Sequence, residues 1–125
     1  MAERQRILVV DDDRTLQGLL KMVLEKAGYQ VAAAVDGMQG TMMARSFKPD
    51  LVILDIMMPA GGGFSVFERL RQMVGTMNLP VLVYSAMPLD QIQAKIPSGP
   101  ETGILQKPAE PGAILQAVQK LLPGA

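Results

Sequence analysis

The chain contains no cysteine, no histidine and no tryptophan among its 125 residues. Without cysteine it cannot form a disulfide, build a thiolate zinc site or use a thiol as a nucleophile. Without histidine it lacks the commonest general base and the commonest ligand of transition metals. Any chemistry must therefore use carboxylates, hydroxyls, lysine and backbone groups, and oxygen-preferring cations such as Mg²⁺ are the metals that remain.

Charge excess and long apolar runs are also missing. Twelve basic residues balance twelve acidic ones, which gives no support for an electrostatic surface that binds DNA or a membrane. No apolar run approaches the roughly 18 residues of a membrane span, and the charged N-terminus does not resemble a signal peptide. Hydrophobic residues make up 49% of the chain, so we expect one globular domain over residues 1–125, soluble and cytoplasmic, without a nucleic-acid or membrane partner.

Five short apolar segments alternate with segments of helical periodicity. Near-continuous apolar runs suit strands that are buried on both faces of a parallel sheet. They cover residues 7–10, 29–35, 51–54, 80–84 and 103–106. This alternation predicts the α/β class, with a doubly wound sheet of five parallel strands and right-handed crossovers.

The helices are predicted from apolar residues spaced three and four apart. The predicted apolar faces are Leu16, Leu19, Leu20, Val23 and Leu24 in the first helix, Phe64, Phe67, Leu70 and Val74 in the third, and Ile114, Leu115, Val118, Leu121 and Leu122 in the fifth. Gly28 ends the first helix, and a poorer second helix covers residues 37–46. The fourth helix is short, from Leu89 to Ile96, because prolines and glycines break the segment Pro97–Gly103.

Polar residues follow each predicted strand. Asp11, Asp12 and Asp13 follow the first strand, Asp36 the second, Asp55 the third, Ser85 the fourth and Lys107 the fifth. Ligands of open parallel sheets bind outside the carboxyl ends of the strands. Converging carboxylates repel one another unless a cation joins them, and Mg²⁺ accepts carboxylate ligands. A carboxylate can also attack phosphorus, and phosphoryl transfer needs positive charge and donors such as Lys107 and Ser85.

Four motifs carry a family resemblance. They are Ile7–Asp13 (ILVVDDD), Leu51–Pro59 (LVILDIMMP) with Gly63, Val83–Ala86 (VYSA) and Lys107-Pro108. Together they resemble the signature of receiver domains of bacterial response regulators, in particular the single-domain regulators that act in chemotaxis. The resemblance covers nearly the whole chain and implies a flavodoxin-like (βα)5 fold with strand order 2-1-3-4-5.

The resemblance also implies roles for the matching residues. Asp55 is then the phosphoacceptor, and Asp12, Asp55 and the Met57 backbone carbonyl bind Mg²⁺ directly, with Asp11 acting through a metal-bound water. Ser85 and Lys107 bind the phosphoryl oxygens. The donor is a phosphohistidine on a sensor histidine kinase or phosphotransfer protein. The output passes to a downstream protein partner, and a homodimer is allowed. Such a domain is not an enzyme beyond its own phosphotransfer and autodephosphorylation.

Two features depart from the family pattern. Receivers usually carry an aromatic residue three positions before the lysine, where it changes rotamer on phosphorylation, but this chain has Ile104 there. They also have a regular fourth helix, whereas Pro97–Gly103 interrupts it here. The pocket therefore matches the family, while the coupling to the output surface is expected to be weak or to use another motion.

Two other functions compete with a phosphoacceptor switch. Residues 11–15 also resemble the nucleophile motif of haloacid-dehalogenase-type phosphatases, with Asp11 as nucleophile and Asp13 as general acid and base. The second alternative is a protein-binding module with a receiver fold that phosphate does not regulate.

Simpler structural roles are open for several of the same residues. Asp13 can cap the first helix and Asp36-Gly37 can form a turn or cap. The ten methionines can fill the core, while Met57 and Met58 can instead shield a phosphate from water. The run Gly61–Gly63 suggests a mobile loop at the site.

Overall fold

The computed structural model describes residues 4–58, 62–97 and 99–122. Five strands alternate with five helices. The strands are β1 (Arg6–Val10), β2 (Gln30–Ala34), β3 (Leu51–Leu54), β4 (Val81–Ser85) and β5 (Thr102–Gln106). The helices are α1 (Arg14–Lys26), α2 (Gly37–Ser46), α3 (Gly62–Gln72), α4 (Leu89–Lys95) and α5 (Pro111–Leu121). The predicted α/β alternation is confirmed.

The strands form one parallel sheet in the order β2-β1-β3-β4-β5. This is the predicted doubly wound order, and it places the carboxyl ends of β1 and β3 side by side. Their register pairs Val10 with Leu54, so the residues that follow each strand, Asp11 and Asp55, emerge next to each other. The order of the sheet reverses at β1, which is where ligands of such sheets bind.

Two apolar layers cover the two faces of the sheet. Alternate strand residues such as Leu8, Val10 and Leu54 pack under α2, α3 and α4, while Ile7, Val9 and their equivalents pack under α1 and α5. Successive strand side chains point to opposite faces, so a continuous apolar strand fills both layers. The central strands are therefore held rigidly below the site.

Aspartates begin the first two helices as capping residues. Asp13 Oδ1 accepts a hydrogen bond of 3.1 Å from the Leu16 amide, and Asp36 Oδ1 accepts one of 2.8 Å from the Gln39 amide. Both cap predictions are confirmed. The first helix ends before Gly28, whose φ of 102° lies in the left-handed region that glycine adopts without steric cost.

Two residues of the predicted apolar helix faces are exposed. Leu19 is 44% exposed on α1. Val74 is 89% exposed and lies beyond the end of α3, so its prediction as a helix-face residue is wrong. The physical reason is a side-chain hydrogen bond that takes the place of a helical one. The Thr76 hydroxyl donates 2.7 Å to the Leu70 carbonyl, which ends the helix and turns the chain away before Val74 can face the core.

The prediction that the methionines fill the core holds for only some of them. Met58 is buried, and Met43, Met73 and Met87 pack against the core, but five methionines of the described residues are exposed: Met22, Met38, Met42, Met57 and Met77. The prediction of a mobile loop over Gly61–Gly63 is wrong for the last two of these residues. Gly62 and Gly63 begin α3, while Gly61 lies outside the described residues.

The fourth helix is short, as predicted, with seven residues in α4. The segment that follows is only partly a loop, because Thr102 and Gly103 belong to β5, and Ser98 lies outside the described residues. Arg71 at the end of α3 anchors this region. Its guanidinium donates to the Leu79 and Glu101 carbonyls at 2.6 and 3.2 Å and to the Thr102 hydroxyl at 3.1 Å. Within the described residues, no helix is long and apolar enough to cross a membrane.

Candidate functional site

Asp11 stands at the end of β1, where three contacts fix its position. Its amide donates a hydrogen bond of 3.1 Å to the Ala34 carbonyl on β2. This bond extends the pairing of β1 with β2 by one residue. The buried Gln17 side chain donates to the carbonyls of Asp11 at 2.6 Å and Ala34 at 2.9 Å. The Asp13 amide donates a hydrogen bond of 2.9 Å to Asp11 Oδ1. The carboxylate is only 3% exposed, so it is held in one orientation with one oxygen still free of backbone contact.

Asp55 occupies the equivalent position after β3. Its amide donates 3.0 Å to the Val10 carbonyl, and its Oδ1 accepts a bond of 2.9 Å from the Met57 amide. The residue is 6% exposed. The first turn of α3 lies against the backbone of Asp55 and Ile56. A Cβ atom on Gly63 would overlap the Ile56 backbone and lie 2.5 Å from the Asp55 carbonyl oxygen. Only glycine allows the helix to support the backbone of Asp55 at this distance.

Lys107 joins the two aspartates. Its ammonium lies 2.8 Å from Asp11 Oδ2 and 3.1 Å from Asp55 Oδ2, and it also lies over the Tyr84 ring at 5.6 Å. The Lys107 amide donates a hydrogen bond of 2.9 Å to the Ser85 carbonyl. This bond extends the pairing of β5 with β4 by one residue. One cation therefore contacts two buried carboxylates at the carboxyl edge of the sheet.

Burial and charge shift two pKa values in this cluster. Burial raises the pKa of the Asp11 carboxyl above its ordinary value, against the opposing effect of its bonds from Lys107 and the Asp13 amide. Burial would lower the pKa of Lys107, but the hydrogen bonds and charges of Asp11 and Asp55 outweigh it and raise that pKa instead. Lys107 is therefore positively charged at neutral pH. Its charge compensates those of Asp11 and Asp55, which it contacts.

Asp12 completes an acidic cluster with these two residues. Asp11, Asp12 and Asp55 each offer a carboxylate oxygen, and these oxygens all lie within 4.8 Å of one another. Asp12 is exposed and the other two are buried, so the cluster is open to solvent on one side. Three carboxylate oxygens with an open side fit Mg²⁺, which takes few protein carboxylates and completes its shell with water or phosphate oxygens.

Ser85 and Met57 lie at the same edge. Ser85 is the last residue of β4 rather than the residue after it, and it is fully buried. Its hydroxyl oxygen accepts a bond of 3.3 Å from the Met87 amide, which leaves the hydroxyl proton available. Met57 directs its amide to Asp55, and its side chain is 53% exposed. Asp13 and Asp36 act as helix caps and are not part of the acidic cluster.

Several supporting residues were not identified from the sequence. Gln17 was detectable in principle, because it lies three and seven residues before the buried Leu20 and Leu24 and so shares their face of α1. Tyr84, whose hydroxyl oxygen accepts 3.1 Å from the Ala109 amide, gave no signal beyond that of a strand residue. Gln106 donates 2.9 Å to the Met87 carbonyl and so fixes the segment after Ser85.

Comparison with known proteins agrees with this geometry. Residues 7–119 match the model of the response regulator receiver domain. The chain is 43% identical over 120 residues to the DNA-binding dual master transcriptional regulator RpaA of Synechocystis sp., covering 94% of this chain and 48% of that protein. It is 36% identical over 122 residues to Protein PilH of Pseudomonas aeruginosa, covering 95% and 98%.

A solved structure is also similar. Chemotaxis protein CheY4 of Vibrio cholerae superposes with a TM-score of 0.88 at 26% identity, covering 95% of this chain and 99% of that one. The chain spans about half the length of RpaA and of several other curated relatives, and nearly the full length of PilH. The sheet order, the acidic cluster and the matched residues lead to one conclusion: this chain belongs to the family of response regulator receiver domains, the phosphoacceptor signalling domains of two-component systems.

Proposed function

We propose that this chain receives a phosphoryl group on Asp55 and uses the phosphorylated state as a signal. The observation that carries the proposal is the position of the Lys107 ammonium, 2.8 Å from Asp11 and 3.1 Å from Asp55, beside the open acidic cluster. A cation that reaches across the sheet to two buried carboxylates stabilises little by itself. It is well placed to neutralise the oxygens of a phosphoryl group.

The chain's own groups would act on the incoming phosphoryl group in distinct ways. An Asp55 carboxylate oxygen forms the new bond to phosphorus while the bond from phosphorus to the donor nitrogen breaks. Lys107 balances the charge on the phosphoryl oxygens, and the Ser85 hydroxyl donates a hydrogen bond to one of them. The backbone contacts at Asp55 hold the nucleophile still, which is how positioning lowers such barriers.

Mg²⁺ is the proposed cofactor. Asp12, Asp55 and the Met57 carbonyl would hold it directly, and Asp11 would hold it through a water. When bound, it offsets the repulsion between the carboxylates and the negative charge of the phosphoryl group. The exposure of Asp12 favours this role, because an exposed carboxylate leaves room for a hydrated ion.

The proposed donor is a phosphohistidine on a sensor histidine kinase or phosphotransfer protein, and the proposed reader is a downstream protein. Receiver domains are signalling switches rather than classical enzymes, so the expected chemistry is one transfer to Asp55 followed by autodephosphorylation. The receiver fold accounts for residues 7–119, which supports treating residues 1–125 as one domain.

The phosphatase alternative is not favoured. It needs Asp13 as a general acid and base, but Asp13 is occupied as the cap of α1. It also leaves Asp55 without a role, although Asp55 is buried against Lys107. The phosphate-independent binding module gains no support from the site, because every charged part of the pocket is present.

Mass measurement tests the proposal. The protein is incubated with Mg²⁺ and acetyl phosphate, and the intact mass is recorded for the native chain and for Asp55→Asn. A single phosphoryl adduct on the native chain that Asp55→Asn loses is the expected result. A native chain that remains unmodified with acetyl phosphate and does not bind beryllofluoride would contradict the proposal.

A further inference from the structure

A second cavity lies at the opposite edge of the sheet from the acidic cluster. It has a volume of about 630 Å³ and is formed by the C-terminal ends of α2 and α3 and the loops that follow them. Helices of this fold run antiparallel to the strands, so these ends lie at the amino edge of the sheet. The volume falls within the range of about 300–1,000 Å³ that is typical of sites for small molecules.

One wall of the cavity is apolar. Met73 and Leu79 are partly buried and pack on the core, and Ala44 and Pro49 are buried below them. Val74 forms part of the same wall and is 89% exposed, although it is a β-branched aliphatic residue. The Thr76 hydroxyl donates a hydrogen bond of 2.7 Å to the Leu70 carbonyl and so closes the turn that carries Val74. An apolar wall that stays exposed to water favours an apolar occupant.

The other wall carries two cations, Arg45 and Lys48. In the described part of the chain Lys107 makes all of the ion pairs, so neither Arg45 nor Lys48 has a carboxylate partner there. Asp50, the acid nearest to them in sequence, already accepts a bond of 2.8 Å from the Arg6 amide. Among the described residues, both charges therefore line the cavity without a carboxylate partner.

Both cations lie at the C-terminal end of α2. Arg45 lies in the last turn of α2, where a positive charge stabilises the helix end. Lys48 lies beyond the helix with a φ of 54°, in the left-handed region that glycine or asparagine usually occupies at this position. The left-handed turn at Lys48 therefore ends α2 and places Lys48 beside Arg45 in the lining of the cavity.

From these two walls we infer that the cavity binds a small amphipathic anion, with an apolar body against Met73, Val74 and Leu79 and a carboxylate or similar group between Arg45 and Lys48. The site is independent of the acidic cluster and of the proposed phosphorylation. Its position between α2 and α3 would let such a ligand act on the helix that supports Asp55.

Amide NMR titrations with phenylbutyrate test this inference, with phenylbutanol as the uncharged probe. We expect phenylbutyrate to shift the amides of residues 44–48 and 73–79, and phenylbutanol to bind more weakly. Arg45→Gln and Lys48→Gly should each lower the affinity for phenylbutyrate by about two- to fivefold, as expected for partly exposed charges. Lys21→Gln, an exposed cation on α1, serves as the control and should leave the affinity unchanged.

The variant Lys48→Gly separates a ligand contact from a structural role. Glycine accepts the backbone conformation of residue 48, so the melting temperature should stay the same or rise while the affinity falls. A lower melting temperature with unchanged affinity would assign Lys48 to the fold and overturn the inference. Equal binding of phenylbutanol, no shifts at residues 44–48 and 73–79, or self-association that Val74→Ser abolishes without any probe binding would also overturn it.

Discussion

Gly63 packs directly on the backbone of Ile56, so that α3 and the segment carrying Asp55 touch without an intervening side chain. A methyl group at position 63 would overlap Ile56 and push the Asp55 carbonyl away. This contact helps to set the backbone position of the proposed acceptor, whose carboxylate Lys107 contacts. It is a property of the backbone, and a single substitution tests it.

Gly63→Ala is predicted to destabilise the fold by about 1–3 kcal/mol and to slow phosphorylation by acetyl phosphate, because the added methyl group overpacks the backbone beside Asp55. Denaturant unfolding and the rate of adduct formation measure the two effects. Gly18→Ala is the matched control. Position 18 lies inside α1 with no atom within 4 Å of the added Cβ, so alanine there should stabilise by up to about 1 kcal/mol. Equal effects at both positions would refute the role of the contact.

Asp12→Ala is predicted to weaken Mg²⁺ binding strongly, because it removes the exposed carboxylate of the cluster. Calorimetric titration of Mg²⁺ measures the affinity. Asp13→Ala provides the control, since Asp13 caps α1 and should cost about 1 kcal/mol of stability with little change in Mg²⁺ affinity. If Asp12→Ala binds Mg²⁺ like the native chain, Asp12 is not a ligand.

Lys107→Met is predicted to retain Mg²⁺ binding but to uncouple phosphorylation from its conformational effect. Without Mg²⁺ it should also lower the free energy of unfolding by about 1–3 kcal/mol, because Asp11 and Asp55 lose a shared donor. Saturating Mg²⁺ should recover more stability in the variant than in the native chain, since the metal replaces the missing cation. Amide NMR with and without beryllofluoride reports the conformational effect, and an unchanged response would remove Lys107 from the coupling.

Arg71→Met is predicted to loosen the start of β5, because three hydrogen bonds to Leu79, Glu101 and Thr102 are lost. Burial lowers the pKa of Arg71, and the three oxygens replace water around its guanidinium. Hydrogen exchange should accelerate at residues 101–104. Arg69→Met, an exposed arginine on the same helix, should leave that exchange unchanged. Similar protection in both variants would show that the segment is held by other contacts.

The sequence predicted the sheet and most of the site for physical reasons. Continuous apolar runs specify buried parallel strands, and residues that follow parallel strands gather at one edge, so the approach of Asp11, Asp55 and Lys107 was foreseeable. The strand order and the individual roles came from the family resemblance. The structure confirms the strand order, while the roles stay predictions.

Contacts outside the regular helix and strand periodicity explain what the sequence did not predict. Val74 follows the helical spacing of Phe67 and Leu70, yet a hydroxyl bond from Thr76 ends the helix first. The close approach of Gly63 to Ile56 depends on how α3 meets β3, which no local pattern encodes. Arg71 holds the segment after α4 by a hydrogen bond to the Glu101 carbonyl, and these two residues are 30 positions apart.

The most direct test of Asp55 as the phosphoacceptor is to locate the phosphoryl group. After reaction with acetyl phosphate and Mg²⁺, borohydride reduction converts an aspartyl phosphate to homoserine, and peptide mass spectrometry finds the modified position. Homoserine at position 55 alone is the expected result. Homoserine at position 11, the nucleophile of the phosphatase alternative, with residue 55 unmodified, would contradict it.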